Sequence, residues 1–199
     1  MDKTEWDKRH ADPARRHSRG PSETLVAAVS VLVPGRALDL ACGQGRHAVW
    51  LAEHGWQVTA VDFSAVALGN ARQLARERSV SCRWVAADLL EFEPEPEAFD
   101  LVILSYVHVP RSDRRKILAA ASRALARGGT LLLIGLDRSN LEHGHGGPTN
   151  PAVLYDGEEI IDELPALRIE TVARIERPVA TPDGDRVAID TLVRASRPM

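Results

Sequence analysis

Two glycines, Gly43 and Gly45, stand where an apolar run gives way to helical periodicity. The run, residues 37–41, predicts a strand, and the glycines open the helix that follows it. Glycines at such a junction let a ligand approach the backbone at the helix N-terminus, which is typical of dinucleotide-type cofactor sites. Asp62 ends the next predicted strand, where its carboxylate could accept both ribose hydroxyls of an adenosine. For the glycines alone, a plain tight turn is the alternative.

Two cofactors suit this loop, a nicotinamide dinucleotide and S-adenosylmethionine (SAM), and Asp39 distinguishes between them. It lies four residues before Gly43, at the end of the first predicted strand. A carboxylate there would repel a pyrophosphate but would attract the α-ammonium of a methionyl group. The length of the chain agrees, because a dehydrogenase usually needs a further substrate domain. The residues favour SAM, and an NAD(P)-linked oxidoreductase and a non-catalytic SAM-binding module remain as alternatives.

The elements that position these residues follow from the hydrophobic pattern. Short apolar runs alternate with helical segments, which predicts βαβ units and a mostly parallel sheet. The predicted strands are residues 37–41, 57–62, 82–86, 100–105, 130–136, 167–175 and 187–193. The last two are expected to pair antiparallel through residues 177–185. The predicted helices are residues 46–54, one capped by Ser64, one capped by Ser112 and ending at Gly128-Gly129, and residues 158–164. Residues 137–156 are predicted to be a loop.

The segment Leu38-Asp39-Leu40-Ala41-Cys42-Gly43-Gln44-Gly45 resembles motif I of the class I SAM-dependent methyltransferases. Later segments are similar to that family in the same order, at residues 61–64, 86–89, 99–102 and 125–130. Within the class, residues 45–52 with Gly55 and Val58 most resemble the small TehB-type (tellurite-resistance) and thiopurine-methyltransferase-like enzymes. The resemblance covers residues 37–136. It departs from the family pattern at Ala41, where a glycine is usual, and at Arg127, where a proline often stands.

The resemblance implies an α/β fold, a Rossmann-like three-layer sandwich with a mostly parallel seven-stranded sheet and an antiparallel C-terminal hairpin. It also implies roles for residues. The methionine moiety would lie at Asp39 and Gly43, the ribose at Asp62, and the adenine between Phe63 and Asp88. The predicted cofactor-binding residues are Trp6, Arg9, Asp39, Ala41, Cys42, Gly43, Gly45, Asp62, Phe63, Ser64, Ala87, Asp88, Leu89 and Ser105. Trp6 and Arg9 would belong to a lid, with a frayed tail as the alternative.

The candidate catalytic residues are His108 and Tyr106, which follow the fourth predicted strand. The resemblance implies that Ser105 and Tyr106 border the transferable methyl group. Ligands of such folds lie at the carboxyl ends of strands, which places His108 near the ligand as well. The His108 imidazole could take a proton from the attacking nucleophile, or it could simply pack or cap. His143 and His145 lack a third ligand at a usable spacing, so no metal site is predicted. Their loop is interpreted as a lid over the acceptor, or as a flexible surface loop.

Composition bounds the remaining predictions. The chain has 199 residues, is 44% hydrophobic and 27% charged, and carries a net charge of −3. We expect one domain, 1–199, with an N-terminal lid or helical segment (1–35), a SAM-binding core (36–136), and a substrate-side loop and hairpin (137–199). The acidic balance argues for a small-molecule acceptor and against nucleic acid. The apolar run at residues 25–33 is too short to span a membrane. Two distant cysteines favour a cytoplasmic protein. A monomer or homodimer is expected.

Overall fold

The computed structural model describes residues 3–12 and 20–199, and the described residues form one mixed sheet of seven strands. The strands are β1 (Arg36–Leu40), β2 (Gln57–Asp62), β3 (Arg83–Ala86), β4 (Phe99–Ser105), β5 (Leu125–Leu136), β6 (Arg168–Thr181) and β7 (Gly184–Ser196). Their order across the sheet is β3-β2-β1-β4-β5-β7-β6. The first five strands are parallel to one another, and β7 is antiparallel to both of its neighbours, β5 and β6.

Helices cover both faces of the sheet. They are α1 (Lys3–Ala11), α2 (Glu23–Val29), α3 (Arg46–Glu53), α4 (Ala65–Glu77), α5 (Arg111–Ala124), α6 (Asn140–His143) and α7 (Gly157–Asp162), with a 3₁₀ turn at Pro151–Val153. Because side chains alternate along a strand, Leu101 and Ile103 pack towards α2, α3 and α4. Val102 and Leu104 pack on the other face, towards α5 and α7. The predicted three-layer sandwich and antiparallel C-terminal hairpin are confirmed. No helix among residues 3–12 and 20–199 is long and apolar enough to cross a membrane.

The parallel arrangement brings three strand ends to one edge of the sheet. Asp39 of β1 is in register with Ala60 of β2 and Ile103 of β4. The carboxyl ends of these strands, at Asp62 and Ser105, therefore lie beside the end of β1. The loops that leave them meet at the same edge, where ligands of open α/β sheets bind.

The sequence prediction for α5 was wrong at both ends. Ser112 was expected to cap this helix, but the helix begins at Arg111 after Pro110, and no side-chain cap is formed. The Asp113 N–H instead donates to the Pro110 carbonyl. At the other end, α5 stops at Ala124 rather than at the glycine pair. Leu125 already pairs with Phe99 of β4, so this strand pairing ends the helix early.

In the C-terminal third, the last two strands are longer than predicted, and the predicted loop contains regular structure. Residues 177–185 were expected to join two strands, but β6 and β7 continue through them to the pair Thr181 and Gly184. The tight turn between these residues is closed by the Thr181 hydroxyl, which donates to the Gly184 carbonyl at 2.6 Å. The predicted loop at 137–156 contains α6 and the 3₁₀ turn. Pairing between the two strands extends the hairpin through residues 177–185, whose polar composition did not predict a strand.

Candidate active site

A cavity of about 1910 Å³ opens at the carboxyl edge of the parallel strands. Its walls come from α1 and α2, from the loops after β1, β2, β3 and β4, from residues 147–153, and from the inner part of β6. Most of the cofactor residues predicted from the sequence line one end of it, whereas Asp39, Gly45, Ser64 and Ala87 do not line it. The other end is bounded by β6, β7 and the loop after β4.

The loop after β1 contains three residues in the left-handed region, Ala41 at φ +59°, Gly43 at φ +54° and Gly45 at φ +79°. Ala41 stands where the family pattern has a glycine, and its backbone keeps the conformation that glycine adopts without strain. The Cys42 N–H donates to the Val61 carbonyl at 2.9 Å, which fixes the loop to the end of β2. Ala41, Cys42 and Gly43 all line the cavity.

Gly45 has a different role in the structure from Gly43. At φ +79° it is the N-cap residue that directly precedes α3, and it does not line the cavity. A Cβ at this position would lie 2.7 Å from the Ala71 Cβ and 2.9 Å from the Trp84 Cη2. Gly45 therefore allows α3 to pack closely against α4 and β3, and through that contact it sets the position of the loop.

Asp39 is buried behind the cavity lining, with 1% of its surface exposed. Neither carboxylate oxygen has a hydrogen-bond partner among the described residues. Burial, together with the charge of Asp62, raises the pKa of Asp39 to about 7, and the charge of Arg46 and the Ala48 backbone act in the opposite direction. A buried carboxylate without a partner is costly, so this position suits a cationic group of a ligand.

Asp62 holds the two loops beside it. Its Oδ2 accepts the Gly43 N–H at 2.8 Å, and its Oδ1 accepts the Ser64 N–H at 2.9 Å. Each oxygen keeps a further lone pair that a ribose hydroxyl could use. Ser64 does not line the cavity; its Oγ accepts the Ala67 N–H and donates to Asp7 of α1. Ser64 is therefore a helix cap and a tether for α1.

The predicted adenine-binding residues form a third part of the cavity wall. Phe63, Asp88 and Leu89 line it, whereas Ala87 packs against the hydrophobic core. One Asp88 oxygen accepts the Leu90 N–H at 2.9 Å, so the turn holds this carboxylate in place. Its remaining lone pairs could accept an exocyclic amine.

Helix α1 lies against this end of the cavity. Trp6 stacks on His10 with ring centres 5.5 Å apart, and the Arg9 guanidinium lies 5.2 Å from the Trp6 ring. Helix α1 is attached to the glycine loop through His10 Nδ1 and Gln44 Nε2, 3.2 Å apart, and to α4 through the Asn70 amide, which donates to the His10 carbonyl. All five residues line the cavity. Sequence reasoning assigned no role to His10 or Asn70, because their contacts join α1 to parts of the chain that are distant in sequence.

Tyr106 organises the other end of the cavity. It is a non-glycine residue at φ +60°, and its hydroxyl donates to Asp190 Oδ2 at 2.7 Å. Asp190 is fully buried and also accepts the Arg177 guanidinium, at 2.7 and 3.4 Å. The centre of the Tyr106 ring lies 5.5 Å from the Arg177 Cζ and 5.8 Å from the Arg46 Cζ. Burial, with the Asp190 charge, raises the pKa of Tyr106 to about 12, so the phenol stays protonated.

His108 is held in a way that conflicts with the predicted role of general base. The Leu136 backbone N–H donates to His108 Nε2 at 3.0 Å, so this nitrogen carries no proton and its lone pair is in use. The proton of the neutral ring is therefore on Nδ1. Burial lowers the pKa of His108 to about 4. His108 lines the cavity as a neutral donor, next to Tyr106 and Tyr155.

The Ser105 hydroxyl is buried at the end of β4 and has no hydrogen-bond partner among the described residues. Ser105 lines the cavity directly before Tyr106. The resemblance to the methyltransferase family pointed to this pair. Sequence reasoning missed Arg46, Arg177 and Asp190, whose charges face Tyr106 from α3, β6 and β7.

The comparison with protein families gives a match to a methyltransferase domain over residues 37–129. The ribosomal RNA small subunit methyltransferase C of Alcanivorax borkumensis is 35% identical over 106 residues, covering 51% of this chain and 32% of that protein. The ubiquinone biosynthesis O-methyltransferase of Xanthomonas campestris pv. campestris is 34% identical over 140 residues, covering 67% of this chain and 56% of that protein. The chain spans about half, or less, of the length of these relatives.

Solved structures agree with the fold. The N-methyltransferase NodS from Bradyrhizobium japonicum WM9, in complex with S-adenosyl-L-homocysteine, matches with a TM-score of 0.73 at 21% identity and covers 98% of each chain. TehB from Haemophilus influenzae matches with a TM-score of 0.77 at 15% identity, covering 92% of this chain and 65% of that one. At these identities the similarity is one of fold. The architecture is thus the Rossmann-like one found in methyltransferases.

Sequence and fold together identify residues 37–129 as a methyltransferase domain of the class I SAM-dependent type. The family predicted from the sequence is confirmed, and the predicted enzyme class and cofactor are those of this family.

Proposed function

We propose that this protein transfers the methyl group of SAM to a small-molecule acceptor. The observation that carries the proposal is Asp39, a buried carboxylate behind the glycine loop that has no hydrogen-bond partner among residues 3–12 and 20–199. An α-ammonium placed there would neutralise it, whereas a pyrophosphate would add negative charge beside it. This difference favours SAM over a nicotinamide dinucleotide.

The described residues fit SAM along its length. Asp39 and Gly43 would hold the methionine moiety, Asp62 the ribose, and Phe63 and Asp88 the adenine. When bound, SAM supplies an activated methyl group, since a neutral thioether leaves from a sulfonium. The residues around the acceptor then mainly have to align the nucleophile with that methyl group and exclude water, which is catalysis by proximity and orientation. Helix α1, attached to the glycine loop and to α4, would close the cofactor end.

Three features support a small acceptor. The acceptor end of the cavity is bounded by residues 147–153 and by β6, which together form a recess. The net charge of −3 offers no general attraction to a polyanion. The ubiquinone biosynthesis relative aligns over more of this chain than the ribosomal RNA methyltransferase does. RNA is the second acceptor class to test, because one relative is a ribosomal RNA methyltransferase. The cytoplasmic location and the monomeric or homodimeric state stay predictions.

Calorimetric titration with SAM, beside NADH, tests the cofactor. We expect SAM to bind and NADH to give no heat. Asp62→Asn removes the charge but keeps one acceptor oxygen for the loop, and it should weaken SAM binding about tenfold or more, the order lost with a charged hydrogen bond. Asp162→Asn, an exposed carboxylate of α7, is the matched control and should leave the affinity unchanged. Binding of NADH without SAM would contradict the proposal and favour an oxidoreductase.

Transfer of labelled methyl groups tests the reaction. The protein is incubated with labelled SAM and, separately, with a small-molecule extract and with total RNA. Label in the small-molecule fraction is the expected result. Label in RNA alone would contradict the small-acceptor assignment while keeping the enzyme class. SAM binding without transfer to either fraction would favour a non-catalytic binding module.

A further inference from the structure

The groups around Tyr106, at the acceptor end of the cavity, carry more positive than negative charge. Arg46 and Arg177 both line the cavity and flank the Tyr106 ring at 5.8 and 5.5 Å. Asp190 neutralises Arg177 through two contacts to its carboxylate, at 2.7 and 3.4 Å. Since Tyr106 is a neutral donor to the same carboxylate, these groups comprise two cations and one anion.

Arg46 accounts for this excess charge. Among the described residues it has a cation–π contact with Tyr106 but no hydrogen bond or ion pair. It is the first residue of α3 and is only partly exposed, so water solvates its guanidinium incompletely. Burial lowers the pKa of Arg46, although the charges of Asp39 and Asp190 act in the opposite direction, so nearby anions compensate the burial of the guanidinium only in part. A guanidinium in this situation favours a ligand that presents a carboxylate or a similar planar anion.

Two further observations indicate that a ligand completes this region. The Ser105 hydroxyl, next to Tyr106 in the chain, is buried without a partner. Apolar side chains also line this end of the cavity, among them Leu136 and Ile175. One donor, one unpaired cation and an apolar wall suit a molecule with one charged end and a hydrocarbon body.

We propose that the methyl acceptor is a small organic monocarboxylate whose charged group pairs with Arg46 and whose apolar body lies against the Leu136 and Ile175 side of the cavity. This assignment rests on the proposed methyltransferase function. A monoanion matches the single excess charge. A phosphate dianion would leave a negative charge uncompensated close to Asp190, in an interior that already holds Asp39 and Asp62.

Calorimetry with matched probes tests the assignment on the whole chain loaded with S-adenosyl-L-homocysteine. The probes are octanoate and benzoate, their neutral amides octanamide and benzamide, and inorganic phosphate. We expect each carboxylate to bind at least tenfold more tightly than its amide. Arg46→Gln should abolish that preference and Arg46→Lys should keep part of it. Arg115→Gln, which removes an exposed arginine of α5 outside the cavity, is the control and should behave like the wild type.

Several results would overturn the assignment. They are equal binding of carboxylate and amide to the wild type, an unchanged preference in Arg46→Gln, and phosphate binding more tightly than either carboxylate. A loss of SAM affinity in Arg46→Gln that exceeds the loss of octanoate affinity would also overturn it, because Arg46 would then hold the carboxylate of the cofactor. SAM titrations of the same variants separate the two proposals: failure of the wild type to bind SAM refutes the proposed function, whereas SAM binding without a carboxylate preference refutes only this assignment.

Discussion

Replacing Asp39 with asparagine should make the cofactor-free protein more stable at neutral and alkaline pH. The side chain is buried, its oxygens have no partner among the described residues, and its pKa is raised from 3.8 to about 7, chiefly by burial. A difference of about 3 in pKa corresponds to about 4 kcal/mol, since each unit is worth about 1.36 kcal/mol. This value is an upper bound, because local relaxation would reduce the cost of the charge.

The sign of this stability difference depends on whether the folded or the unfolded chain binds the Asp39 proton more tightly. Below pH 3.8 the Asp39 carboxyl is protonated in both the folded and the unfolded chain, so the substitution changes little. Between pH 3.8 and about 7 the unfolded chain releases the proton while the folded chain keeps it, so the free energy of unfolding of the wild type falls with pH. Above pH 7 the folded chain has also released the proton, and the free energy of unfolding of the wild type falls no further from this cause. The advantage of Asp39→Asn should therefore grow from near zero at pH 4 to as much as about 4 kcal/mol at pH 8.

Urea denaturation of the wild type and Asp39→Asn at pH 4.5, 6 and 8 measures this difference, with Asp162→Asn as the charge-matched control. Saturating SAM should reverse the order at pH 8, because the ammonium would pair with the ionised carboxylate and stabilise only the wild type. If Asp39→Asn were no more stable than the wild type at pH 8, or gained equally at pH 4.5 and pH 8, the reasoning on an uncompensated charge would be refuted.

Two further predictions concern the glycine loop and the acceptor end. Gly45→Ala should lower the free energy of unfolding by about 2–4 kcal/mol, because the new side chain would combine a left-handed φ with close contacts to Ala71 and Trp84. Gly69→Ala, with open space around it, should instead raise the free energy of unfolding by about 0.5–1 kcal/mol. Thermal melting compares the two, and equal effects would contradict the packing role. His108→Gln should reduce methyl transfer less than tenfold and leave the shape of the pH–rate profile near pH 6.5 unchanged, because burial already keeps His108 neutral there. A loss of about 10²–10⁴-fold would restore the general-base hypothesis.

Much of the fold and of the cofactor end could be predicted because the signals are local. An apolar run followed by Gly43 identifies the end of β1, and Asp62 marks the end of β2 within its own run. A parallel sheet brings such strand ends to one edge whatever the details of packing. Prediction was poorer where pairing partners decide the structure: Leu125 leaves its helix because it pairs with Phe99 in β4.

The sequence by itself determined the class of fold, the glycine loop and the acidic residues that follow its strands, because each depends on a few neighbouring residues. Tertiary structure alone decided which charged side chains meet at the acceptor end of the cavity. Arg46, Tyr106, Arg177 and Asp190 come from four separate parts of the chain, and no short pattern records that β6 and β7 bring the last two to the loop after β4. The protonation of His108 likewise depends on a backbone amide 28 residues away. Charge compensation and hydrogen bonding act between neighbours in space, and for these residues only folding makes them neighbours.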